Sequence, residues 1–160
     1  MFNFKFGPRS LRELEGVHPS IAAVCHRALE ITKQDFAVHD GLRTRDEQRE
    51  MLASGASTTM DSKHLTGDAV DLVPYINGKL RWEWQPIFTV AAAVRQAAKE
   101  IGVKLRWGSA WDLNFTDTAE DPEIIQDQYA ERFKERQKAL PPEKRKKLFL
   151  DGPHFERILG

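Results

Sequence analysis

A single aspartate set inside an apolar run constrains this chain more than any other feature. The run is Ala69-Val70-Asp71-Leu72-Val73. Strand alternation puts Ala69 and Asp71 on one face and Val70 and Leu72 on the other. A carboxylate in such a strand is costly to bury unless a partner pairs with it or a metal binds it. Just upstream, Ser62-Lys-His64-Leu-Thr-Gly67-Asp68 delivers an imidazole across a glycine from Asp71. A second cluster stands near the C-terminus, Asp151-Gly-Pro-His154-Phe-Glu156. Two histidines and an aspartate, here His64, His154 and Asp71, are a normal ligand set for a catalytic zinc and leave a fourth position for water. Asp151 is then left over, three residues before a ligand, to act on that water.

The chain has 160 residues, one domain's worth and enough for one real core. Lysines and arginines number 24 against 24 acids, so bulk charge does not announce a nucleic-acid partner. The single cysteine, Cys25, excludes an internal disulfide framework and suits a reducing compartment. No stretch is apolar for long enough to span a bilayer. The opening Met-Phe-Asn-Phe-Lys-Phe-Gly-Pro-Arg lacks the charged leader and apolar core of a secretory signal, so synthesis in the cytoplasm is expected.

Along the chain, Phe2, Phe4 and Phe6 alternate as a short extended arm. Ser10 and Glu13 have the spacing of a capping box, and Pro19 suits the first turn of a longer helix with Ile21, Val24, Ala28 and Leu29 on one stripe. His18 reads as a turn residue, His26 as an ordinary surface or half-buried histidine, and Cys25 as a small core hydrophobe. Phe36-Ala-Val-His39 predicts a strand, and Thr44-Arg-Asp-Glu47 a second capping box. Arg43 lies between them, where loops gather functional groups; on spacing alone the favoured reading is a surface or salt-bridged arginine. Gly55-Ala-Ser-Thr-Thr-Met is a polar loop suited to lining a cleft, and Asn77-Gly78 between apolar flanks signals a tight hairpin. Trp82 and Trp84 follow as a return strand or a cover for the core's edge. Pro86 is expected to open an alanine-rich helix over about 87–101 closed by Gly102, and Val103 to Trp107 alternates as a strand.

Two stretches carry competing readings. Asp112, Asn114, Thr116, Thr118, Glu120 and Glu123 stand at positions 1, 3, 5, 7, 9 and 12 of a calcium-type loop, but Asp117 replaces the glycine such loops need at position six. The alternative is an acidic surface loop. From Pro122 to about Lys138 a helix is expected, followed by Pro-Pro-Glu-Lys-Arg-Lys-Lys. The basic charge over 132–147 reads either as a solvated face or as a patch making weak contact with anionic lipid or cell-wall polymer. Aromatics and arginines are not interleaved as nucleic-acid binding would require.

The joint pattern Ser62-x-His64-x-x-Gly67-x-Ala69-x-Asp71 with Asp151-x-x-His154 resembles the zinc peptidases of the D-alanyl-D-alanine carboxypeptidase and dipeptidase family. Within it the chain looks most like the bacteriophage L-alanyl-D-glutamate endopeptidases, small endolysins that cut peptidoglycan stem peptides. Phe4-Lys-Phe-Gly, Gly41-Leu-Arg-Thr, Pro74-Tyr-Ile-Asn-Gly-Lys and Arg106-Trp-Gly extend the likeness over nearly the whole chain, apart from roughly 115–148. The resemblance implies an α+β fold: a small antiparallel sheet carrying the metal ligands, with helices packed against it. It implies one catalytic domain over 1–160, with a helical, basic insertion at about 115–148 and no separate wall-binding domain.

The chemistry expected is hydrolysis at one zinc held by His64, Asp71 and His154, with Asp151 as general base and then acid. The resemblance assigns Arg43 to steadying the substrate carbonyl. Ser62 and Gly67 are expected to shape the loop; no Gly-x-Ser-x-Gly elbow or His-Glu-x-x-His is present for other hydrolase chemistries. For a phage lysin, expected to be a monomer, the resemblance implies access to the periplasm through a holin pore. Two alternatives remain: a carboxypeptidase or dipeptidase on D-Ala-D-Ala, and a non-catalytic metal-bearing binding module on the same scaffold. Asp151 beside the ligands argues against the second of these.

Overall fold

Five antiparallel strands form the frame of the molecule, in a computed structural model that describes residues 2–159. The strands are β1 (Phe36–Asp40), β2 (Ala69–Ile76), β3 (Lys79–Leu80), β4 (Leu105–Gly108) and β5 (Asp151–Arg157), in the order β1-β2-β5-β4, with β3 paired to the far end of β2. The helices are α1 (Pro8–Glu13), α2 (Pro19–Ile31), α3 (Arg45–Ala53), α4 (Trp84–Ile101) and α5 (Pro122–Lys138). This is the α+β architecture expected from the sequence.

The sheet has two unlike faces because its strands alternate. Val70 and Leu72 of β2, Leu105 and Trp107 of β4, and Phe155 of β5 join one hydrophobic core with α2 and α4. Trp107, Phe155 and Ile21 are almost fully buried, each worth roughly 1.5–3 kcal/mol of transfer free energy. Asp71, His154 and Glu156 occupy the alternate positions and so face away from that core. Most of β2 is nonetheless buried on both faces, as suits a central strand.

Several local expectations hold in detail. Thr44 and Glu47 form a reciprocal capping box at the start of α3. Asn77 and Gly78 both take positive φ, at 52° and 79°, as a tight hairpin between β2 and β3 requires. Pro19 sits in the first turn of α2, where His18 serves as N-cap by accepting the Ser20 N–H through Nδ1.

Others are corrected. Ser10 caps nothing: Pro8 starts α1 earlier, and the buried Ser10 hydroxyl accepts the Val38 N–H at 3.0 Å. Glu13 Oε1 accepts the Gly41 N–H at 3.2 Å instead of closing a box. α4 opens at Trp84 rather than at Pro86. Its N-cap, Glu83, makes no side-chain cap bond, and the Trp84 ring stacks on Phe88 one turn later, so packing rather than capping sets that end. Trp82 lies beyond the short β3, edge-on to His39.

Candidate metal centre

The centre is assembled by one turn and one strand pair. Ser62 accepts the His64 N–H through its hydroxyl at 3.2 Å, opening a single 3-10 turn over Lys63–Thr66. Gly67 closes the turn at φ 76°, and a Cβ there would lie 2.5 Å from the Gly16 carbonyl oxygen, so glycine is required twice over. The turn aims His64 inward, where its Nδ1 donates to the Gly41 carbonyl at 2.8 Å. A carbonyl can only accept, so Nδ1 carries a proton, and Nε2 is the nitrogen left free to face a metal.

β2 and β5 supply the rest. Asp71 and His154 are directly opposed in the antiparallel ladder. Asp71 Oδ1 lies 3.2 Å from His64 Nε2 and 3.2 Å from His154 Nδ1. One ligand atom from each of His64, Asp71 and His154 lies within 4.8 Å of the other two, and all three residues are buried. This is the set the sequence pattern singled out. Two imidazole nitrogens and one carboxylate oxygen converging at a buried point are donor chemistry that suits zinc.

Electrostatics at this point are steep. Burial alone would raise the Asp71 carboxyl, but the two imidazoles beside it hold it far below the usual carboxylate range. Burial alone would lower His154, yet its hydrogen bonds to Asp71 and Glu156 push it up to about 10. Asp151, at the start of β5, is pushed up to about 6 by burial and by the nearby Asp71 charge. A carboxylate poised near neutrality beside a ligand set is the condition a general base needs.

Arg43 is buried next to this cluster. Its guanidinium pairs with Asp40, donates from Nη1 to Gln48 Oε1 at 2.6 Å, and reaches within 3.6 Å of Asp71 Oδ2. Gln48 in turn donates to the Thr59 carbonyl at 2.6 Å, tying the arginine to the polar loop. Neither Asp40 nor Gln48 was marked by the sequence reading. Gln48 is the buried residue of α3, and a polar residue on a helix's inward face was the signal available.

A cavity of about 740 Å³ opens onto the centre. The loop residues Ala56 to Thr59 line it, as their composition suggested, with Trp111, Tyr129, Phe133 and Phe149 supplying apolar wall. Trp111 lies with its ring centroid 5.1 Å from that of His154 and donates from Nε1 to the Phe149 carbonyl. Lys146 and Lys147, from the basic stretch after α5, also reach the cavity. Glu156, two residues after His154 on the same face of β5, lines it too.

The 112–123 stretch lies apart from the centre. Asp112 is held by Arg132 and Arg136, Asn114 accepts the Thr116 N–H, and Thr118 contacts Arg95 and the Phe115 carbonyl. Asp112, Glu120 and Glu123 do not form a ligand cluster among the described residues. Thr116 is engaged with Asn114. His18, His26 and His39 do not join the metal cluster either.

Comparison with known proteins places the chain in a family. The family model for phage L-alanyl-D-glutamate peptidase matches residues 2–133. The L-alanyl-D-glutamate peptidase of Escherichia phage T5 is 43% identical over 116 residues, covering 70% of this chain and 85% of that protein. A crystal structure of the Serratia marcescens L-Ala D-Glu endopeptidase ChiX matches with a TM-score of 0.68 at 33% identity, over 96% of this chain and 90% of that one. Asp151 and His154 lie beyond the family-model match, which ends at residue 133. With the sequence, the fold and the relatives in agreement, the chain belongs to the phage L-alanyl-D-glutamate peptidase family.

Proposed function

We propose that this protein is a zinc-dependent endopeptidase that hydrolyses the L-Ala–D-Glu bond of peptidoglycan stem peptides, as a monomeric phage endolysin acting in the host periplasm. The observation that carries the reading is the meeting of Asp71 Oδ1 with an imidazole nitrogen on each side, at the floor of the cavity that Asp151 also lines. His64, Asp71 and His154 would hold the metal. Zinc, when bound, supplies Lewis acidity that polarises a carbonyl and acidifies water.

The chain's own residues do the rest. Asp151, with its carboxyl raised to about 6, takes a proton from the attacking water and returns it to the leaving amine of D-Glu. Arg43, immobilised by Asp40 and Gln48, adds positive charge where the carbonyl oxygen becomes anionic. Its role is electrostatic: a guanidinium fixed in place beforehand need not reorganise as charge develops. Trp111 and Phe149, stacked with centroids 6.1 Å apart, form an apolar wall on that side of the cavity. The names of the relatives favour this bond over D-Ala-D-Ala.

Mass spectrometry of Gram-negative peptidoglycan digested with the protein tests this. New N-terminal D-glutamate, abolished by a zinc chelator and restored by zinc, is the expected result. Release of terminal D-alanine would transfer the assignment to a carboxypeptidase. Zinc binding without cleavage of any wall substrate would leave only the binding-module reading.

A further inference from the structure

Both carboxylate oxygens of Glu156 are already engaged. Oε1 lies 2.9 Å from His154 Nε2, and Oε2 accepts from Arg106 Nη1 at 3.2 Å. Arg106 stands directly opposite Glu156 in the β4–β5 ladder, and Glu156 is only 7% exposed. A carboxylate committed in this way is poorly placed to serve as a general base, although it lines the same cavity as Asp151.

We propose that Glu156, held by Arg106, is a positioning residue that fixes His154 as a metal ligand. The inference rests on the reading of His154 as a ligand. A neutral imidazole has two tautomers, and only one leaves a lone pair on Nδ1, the nitrogen that faces Asp71. An ionised carboxylate at Nε2 can only accept, so in the neutral ring it keeps the proton there and leaves the lone pair on Nδ1. It also fixes the ring's rotation and makes the imidazole a stronger donor.

His64 receives the same service at its opposite nitrogen from the backbone carbonyl of Gly41. The two histidines therefore present different nitrogens, Nε2 and Nδ1, to one point. A backbone carbonyl is held by the fold itself. A side-chain carboxylate has rotamers to lose, and a cross-strand arginine restricts them while compensating the buried charge.

The test is zinc affinity, measured by competition with a chromophoric chelator on the purified full-length protein, for the native protein, Glu156→Gln, Glu156→Ala and Arg106→Ala. Glu156→Ala is expected to weaken zinc by about 10–100-fold. Glu156→Gln should fall between, because its amide oxygen still accepts from Nε2 without the charge. Arg106→Ala should weaken zinc less than Glu156→Ala does. In the cobalt-substituted protein, Glu156→Ala should also shift the visible d–d absorption, which a purely structural role would leave in place. A folded Glu156→Ala protein with unchanged zinc affinity and cobalt spectrum overturns the inference alone. If Glu156→Ala fails to fold, the isosteric Glu156→Gln decides: weakened zinc supports the inference and unchanged zinc overturns it. A native protein that binds no zinc overturns the metal reading and this inference together.

Discussion

Asp71 and His154 lie 83 residues apart in sequence, yet stand face to face across the β2–β5 ladder with Oδ1 and Nδ1 3.2 Å apart. Strand register therefore sets how the two side chains meet, and β4, supplied by the chain between them, flanks β5 on its other side. Asp71 also compensates two imidazoles at once, so removing its charge should be felt at both. Substitutions around metal ligands already cost about 10–100-fold in metal affinity, so Asp71→Asn is expected to cost at least that much. Chelator competition measures it, and Asp71→Asn with native zinc affinity would remove Asp71 from the ligand set.

Asp151 sets a pH dependence of definite sign. Its carboxyl is raised to about 6 by burial and by the charge of Asp71. A base must be ionised to act, so kcat/KM should fall away as pH drops below the Asp151 pKa, which is about 6 in the metal-free protein and lower once bound zinc offsets the Asp71 charge. Asp151→Asn should lower kcat by about 10²–10⁴-fold and abolish that limb of the profile. Stability runs the opposite way. A carboxyl whose folded pKa is raised contributes stability below its unfolded value near 3.8, and this is lost as pH rises through about 6. At neutral pH the ionised Asp151 is thus a burden on the metal-free protein. Asp151→Asn should raise its Tm by a few degrees, on the order of 1–2 kcal/mol. Calorimetry at pH 7.5 that found Asp151→Asn less stable than the native protein would contradict this account.

Arg43 ties the candidate metal cluster to the polar loop through Gln48. Its guanidinium is shared among Asp40, Gln48 and the approach to Asp71. Arg43→Ala should lower kcat by about 10²–10³-fold with little change in KM, as loss of an oxyanion partner does. It should also destabilise by roughly 1–3 kcal/mol, because Gln48 Oε1 and Asp40 lose a buried donor. Arg43→Lys should rescue neither effect fully, since a lysine cannot bridge two acceptors in the guanidinium's fixed geometry. Steady-state kinetics showing a KM effect alone would relocate Arg43 to substrate binding.

The candidate metal cluster was legible in sequence as a joint pattern rather than residue by residue: His154 alone reads as an ordinary strand histidine, and only with His64 and Asp71 does it point to a metal. Asp71 interrupts an apolar strand, His64 precedes a glycine turn, and His154 alternates with Phe155 on a strand that must be half buried. The hairpin at Asn77-Gly78 and the box at Thr44–Glu47 were legible because local backbone chemistry alone specifies them. What stayed hidden depends on partners distant in sequence. Gln48 looks like any helix glutamine until Arg43 and Thr59 are seen around it. Arg106 and Glu156 become a pair only once β4 and β5 are aligned. Ser10 misled for the complementary reason: its spacing to Glu13 fits a cap, but Pro8 and the Val38 N–H claimed those residues for other work.

Gly108 is where β4 is allowed to approach the catalytic end of β5. A Cβ there would lie 2.1 Å from the Asp151 carbonyl oxygen and 3.0 Å from the Asp151 Cβ. Backbone cannot yield as a flexible side chain can, so Gly108→Ala must displace the start of β5. The expected result is a lower Tm together with a loss of kcat larger than the stability change would suggest, because Asp151 moves while His154 stays paired to Asp71. A crystal structure of Gly108→Ala with Asp151 unmoved, or native kcat in a folded Gly108→Ala protein, would show that the ladder has slack at this position.

Lys146 and Lys147 bring the basic stretch into the mechanism's neighbourhood. Both line the cavity, and neither ammonium has an ion-pair partner among the described residues. Both are exposed, so each keeps its hydration and acts over distance rather than through a fixed bond. Peptidoglycan stem peptides carry carboxylates, and a pair of unpaired cations at the cleft mouth raises the local concentration of such a substrate. Replacing both by alanine should therefore raise KM for intact sacculi while leaving kcat near native, because no proton or oxyanion is handled there. The effect should be several-fold at low ionic strength and shrink as salt brings the screening length down to about 8 Å at 0.15 M and about 3 Å at 1 M. A salt-independent rise in KM would point to direct contact with the peptide. A fall in kcat at every salt concentration would mean that the segment shapes the site rather than drawing substrate to it.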